Sequence, residues 1–73
     1  MMTNHDTKID EQSRPGMRYE LYRRACHDIG SGVFTSWVVR QIDIKLDKRL
    51  GDKVFSDPIQ AEAHFTMLHR EGI

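Results

Sequence analysis

The spacing of apolar residues changes along this chain, and each change of period marks an element. Residues 58–71 (PIQAEAHFTMLHRE) place Ala61, Phe65 and Leu68 at i, i+4 and i+7, so the three share one helical face. Gln60, Glu62, Thr66 and Arg70 point elsewhere, and Ile59 and Met67 flank the stripe. Asp57 supplies a short acceptor for the free amides of a first turn, and Pro58 follows where no amide is needed. Gly72 marks the stop, where a left-handed cap costs least, and Arg70 suits the negative end of the helix dipole. A single apolar stripe cannot stay folded alone, so this helix requires a sheet to cover.

Upstream the period is two. In residues 17–26 (MRYELYRRAC), Met17, Tyr19, Leu21 and Ala25 fall on one side and Arg18, Glu20, Tyr22 and Arg24 on the other, which predicts a strand with one buried face. A turn-rich connector follows at 27–32. Residues 33–43 (VFTSWVVRQID) are rich in the β-branched and aromatic types that suit a pleated surface. These segments predict an antiparallel hairpin. Residues 47–53 form a charged turn around Gly51-Asp52, and 53–56 give a third short strand leading into the helix.

The second strand offers two faces. Phe34, Val38, Ile42, Ile44 and Leu46 share one parity, and Val33, Thr35, Trp37 and Val39 share the other. A regular strand puts the first set in the core and leaves Trp37 outside, whereas a bulge near Arg40 brings Trp37 and Val39 in. The regular reading is preferred because it keeps Ile42, Ile44 and Leu46 on the core side without an extra device. A helix over 36–50 is the rival, since Val39, Ile42, Leu46 and Leu50 also fit a 3.6 period; the density of β-branched residues argues against it. Residues 1–16 hold one large aliphatic residue, Ile9, besides two methionines, which is too little to repay ordering, and Pro15-Gly16 separates them as a turn. The expected architecture is therefore α+β: a disordered tail over 1–16, then one domain over 17–73, a three-stranded antiparallel sheet in the order β-β-β-α with the C-terminal helix packed on one face.

Composition narrows the classes of function. Seventy-three residues allow one small domain. Lys plus Arg and Asp plus Glu both number 11, so no global field draws the chain to nucleic acid or to an anionic membrane. Cys26 is the only cysteine, which removes a disulfide framework and a thiolate cluster and favours a reducing, cytoplasmic setting. No apolar run approaches the length of a membrane span, so no membrane partner is expected.

Candidate chemistry is sparse. His64 and His69 stand five apart, about 140° around a helix, without the carboxylate of a zinc helix. His5 and His27 add no ligand spacing, and the adjacent Cys26, His27 and Asp28 would point to alternating faces of a strand. Gly30-Ser31-Gly32 leads into a strand and lacks the helix N-terminus that would hold a phosphate. No metal, cofactor or catalytic residue is expected, and the chain reads as a non-enzyme.

On the regular reading the sheet face away from the helix carries Arg18, Tyr22, Arg24, Thr35, Trp37 and Val39; leaving out Thr35 and adding the neighbouring Arg40 gives the set Arg18, Tyr22, Arg24, Trp37, Val39 and Arg40. These six are the expected partner-binding residues, because aromatic and guanidinium groups dominate protein interface hot spots. The leading expectation is a small regulatory interaction module with a protein partner, or with a second copy as a homodimer. A motif-free chain of this size also suits an inhibitor of a host complex encoded by a phage or mobile element. The alternative is a nucleic-acid binder using Arg18, Arg23, Arg24, Arg40, Lys45, Lys48 and Arg49, since the same residue types stack and neutralise single strands. Outside 1–16 nine basic residues stand against eight acidic, a small excess for phosphate binding. The ending KVFSDPIQAEAHFTMLHREG resembles the strand-to-helix close of the WGR domain, a sheet-and-helix module of nucleic-acid-related proteins. The Trp-Gly-Arg signature itself is absent, Trp37 being followed by Val38, Val39 and Arg40.

Overall fold

A computed structural model describes residues 2–28, 30 and 32–71. Four strands, β1 (Met2–Arg14), β2 (Met17–Asp28), β3 (Gly32–Asp43) and β4 (Lys48–Phe55), precede one helix, α1 (Pro58–Glu71). The strands form a single antiparallel sheet in sequence order, β1-β2-β3-β4, with no crossover. The α+β class, the hairpin of β2 and β3 and the C-terminal helix follow the sequence expectation. The strand count does not: residues expected to be a disordered tail form β1, and β4 begins at Lys48 inside the segment expected to be a turn.

β1 has almost no apolar content, so its place depends on its neighbour. Its ladder runs along β2 from Met2 opposite Asp28 to Arg14 opposite Met17, and opposite charges meet across it, as at Asp6 and Arg24. Pro15-Gly16 makes the two-residue turn, and Gly16 takes the positive φ of 84° that a second turn position requires. β3 ends at Asp43, where residues 44–47 turn: the Asp43 carboxylate accepts from the Leu46 amide at 3.1 Å, and Asp47 adopts φ 49°. A helix over 36–50 is thereby excluded.

The turn settles which face of β3 is the core. Ile44 and Leu46 are exposed turn residues and set no parity for the strand before them. Leu21 pairs with Val39 and Tyr19 with Gln41, so odd residues of both strands share the helix side. The core is Tyr19, Leu21, Val39, Ala61 and Phe65, with Met17, Trp37, Phe55 and Leu68 packed around it. The regular reading of β3 is therefore corrected: Trp37 and Val39 lie under the helix, and no bulge in β3 is needed to put them there. The register shifts lie elsewhere, at Lys8/Asp10 against β2 and at Gln41/Ile42 against β4.

The start of the helix follows its signals. The Asp57 carboxylate accepts from the Ile59 amide at 2.9 Å and its carbonyl from the Ala61 amide at 3.1 Å. His69 and Arg70 occupy the last turn. There the Arg14 guanidinium donates to the carbonyls of His69 and Arg70, joining the end of β1 to the end of α1. Gly72, the expected cap, lies outside the described residues.

Candidate functional site

The helix covers one side of the sheet, and the even residues of β2 and β3 occupy the other. Arg18, Tyr22, Arg24 and Arg40 are brought together on this open face, with Glu20, Val38 and Ile42 among them. Trp37 and Val39 are not: they belong to the opposite side, so four of the six expected binding residues share one surface.

Neighbouring strands present carboxylates to the arginines. Arg24 forms a two-point contact with Asp6 at 2.8 and 3.0 Å, and Arg40 forms one with Asp52 at 2.9 and 3.1 Å. Arg49 approaches the same Asp52 at 3.6 Å. Between these pairs sits Glu20, 4% exposed, which accepts from the Tyr22 hydroxyl at 2.8 Å and meets Lys8 at 3.1 Å and Arg18 at 3.2 Å. The Arg18 Nε at that distance is off line for a hydrogen bond and is buried without one. Lys8 also reaches Glu11 at 2.8 Å. Tyr22 lies at the centre, with the Arg40 guanidinium 4.7 Å from its ring centroid, a stacking of cation on ring.

The titrations follow from these contacts. Hydrogen bonds from Arg24 hold the Asp6 carboxyl below its usual range, and those from Arg40 do the same for Asp52. Burial pulls Glu20 upward, but hydrogen bonds from Tyr22 and Lys8 and the nearby charges of Lys8 and Arg18 outweigh it, so its pKa is also lowered. Burial and the Glu20 contact push Tyr22 upward. The face is thus a lattice of alternating charges with little net field, and the paired guanidiniums are held in place.

Val38 is fully buried on this face, although it stands outside the helix-side core cluster. Its cross-strand neighbours are Tyr22 and Val54, and Arg40 lies two residues along. Sequence reasoning placed Val38 in the main core; the register puts it on the open face instead.

Sequence reasoning also missed the acidic half of the lattice, Asp6, Glu11 and Asp52. The signal was a charge alternation in β1 and β4, which becomes legible only once these segments are aligned against β2 and β3. Among the described residues no three His, Cys, Asp or Glu side chains gather as a metal-holding group, and no helix is long and apolar enough to cross a membrane. Cys26 is half-buried near the far end of β2. Comparison of the chain with family models, curated proteins and solved structures finds no match, so the WGR likeness stays confined to the C-terminal twenty residues.

Proposed function

We propose that this chain is a small non-catalytic regulatory module that docks on another protein through the sheet face opposite the helix. The observation that carries the reading is the pairing of Arg24 and Arg40 on the open face with carboxylates on adjacent strands. A surface that binds phosphate needs cations free to neutralise it, and here Arg24 and Arg40 would first have to leave two-point contacts. The same lattice gives a protein partner a flat, near-neutral surface of fixed donors and acceptors around one tyrosine, a residue type enriched at interface hot spots. Nucleic acid is the second reading, and the pairing weighs against it.

The test is affinity capture with nuclease-treated and untreated extracts, comparing the native chain with Tyr22→Ala and with Ala63→Glu on the outer side of the helix. The expected result is one protein retained after nuclease treatment, lost with Tyr22→Ala and kept with Ala63→Glu. Captured material that vanishes with nuclease, or binding that is indifferent to Tyr22, overturns the reading. A second copy of the chain as the retained partner would make the same face a homodimer interface.

A further inference from the structure

The register shift between Lys8 and Asp10 adds Ile9 to β1 without a partner on β2. A bulge of this kind re-aims side chains, and here it brings both Ile9 and Asp10 to the helix side. They form one wall of a groove of about 200 Å³ between β1 and α1. Leu21, Trp37 and Phe65 line it with apolar surface, and Glu62 and His69 come from the helix. Ile9 remains about half exposed, at 52%. Among the described residues neither Asp10 nor Glu62 has a cation within ion-pair distance, in contrast to Asp6, Glu20 and Asp52 on the other face. The groove therefore mixes apolar and polar lining, with carboxylates contributed by both the strand and the helix.

We infer that this groove is a second docking site, for a segment of a partner protein that presents one large apolar side chain beside a lysine or arginine. The volume matches a single side chain rather than a helix or a cofactor. Charge complementarity fixes the neighbour: a cation next to the inserted side chain meets Asp10 or Glu62, while a carboxylate there is repelled by both. Trp37, expected from the sequence to bind on the open face, becomes a binding residue on the opposite one. The site is separate from the open-face reading, and each can fail without the other.

The probes are acetyl-Gly-Phe-Lys-Gly-amide and acetyl-Gly-Phe-Glu-Gly-amide, titrated to millimolar concentration into the full chain while NMR follows the Trp37 indole N–H and the Ile9 methyls. The lysine peptide is expected to shift both signals saturably. The glutamate peptide should bind about fivefold more weakly, the ratio that roughly 1 kcal/mol of exposed ion pairing corresponds to. The double variant Asp10→Asn/Glu62→Gln, both positions being exposed, should bring the two peptides level. The inference is overturned by an absence of shifts with the lysine peptide, by equal binding of the two peptides to the native chain, by a preference that survives the double variant, or by shifts at Tyr22 in place of Trp37 and Ile9.

Discussion

The two faces of this sheet are closed by different physics. On the helix side Tyr19, Leu21, Val39, Ala61 and Phe65 exclude water by apolar contact, which is non-directional and proportional to area. On the open side Val38 is equally buried, yet the face it belongs to carries Glu20 and the ion pairs Asp6–Arg24 and Asp52–Arg40. Such pairing depends on distance, alignment and protonation. The comparison separates the two faces by degree: the first should carry more of the folding free energy, and the second should lose less when one of its side chains changes.

The largest effect should come from the helix side. Phe65→Ala removes a fully buried ring and is expected to cost about 3–5 kcal/mol, enough to unfold much of so small a domain; denaturant titration measures it. On the open face the largest loss should follow Glu20→Gln, which takes from Lys8 and Arg18 the buried one of the two carboxylates, Glu20 and Glu11, that they share. About 1–3 kcal/mol is expected, and a loss as large as that of Phe65→Ala would abolish the distinction between the faces. Smaller still is the coupling of Arg40 to Asp52 in a double-mutant cycle, about 0.2–1 kcal/mol, because both groups keep some contact with water.

Protonation offers a way to open one face before the other. Asp6, Glu20 and Asp52 have folded-state pKa values below their unfolded ones, so their contribution is present above the unfolded values near pH 4 and is lost as pH falls through the folded values. Tyr22 reports on the open face and Trp37 on the helix side. The Tyr22 resonances should therefore respond to acid at higher pH than tryptophan fluorescence, and coincident transitions would show one cooperative unit. A weaker effect comes from His64, whose pKa is lowered by burial and by the charge of Lys53. Its contribution is present above about pH 6.5 and declines below it, and His64→Gln should flatten that slope in stability measured between pH 5 and 7.

The parts legible in the sequence were those with a local signal. Asp57 and Pro58 announce the helix start, and the i, i+4, i+7 stripe gives its buried residues Ala61 and Phe65. The alternation of Met17, Tyr19 and Leu21 gives the core side of β2. β1 was not legible, because a polar strand has no periodic apolar signature and its ion pairs exist only in register with β2. The face of β3 was misread for a different reason: Ile44 and Leu46 continue the alternation on paper, but Asp43 ends the strand with a side-chain bond to the turn. Of the expected partner-binding residues, Arg18, Tyr22 and Arg24 came out together because they alternate along β2, whose phase is legible; Arg40 joins them only through the register of β3. Trp37 and Val39 fell away with the phase of β3.

The sheet order bears on the kinetics of folding as well as on the surface. Each strand pairs only with its neighbour in sequence, so every ladder can zip from its own turn without first closing a long loop. Isolated hairpins form in about 1–10 μs, which sets the scale of these local steps. The return of the helix is the non-local event, because it brings His69 and Arg70 to Arg14, more than fifty residues earlier. An Arg14→Ala variant, which removes that tie after the ladders have formed, should therefore speed unfolding more than it slows folding.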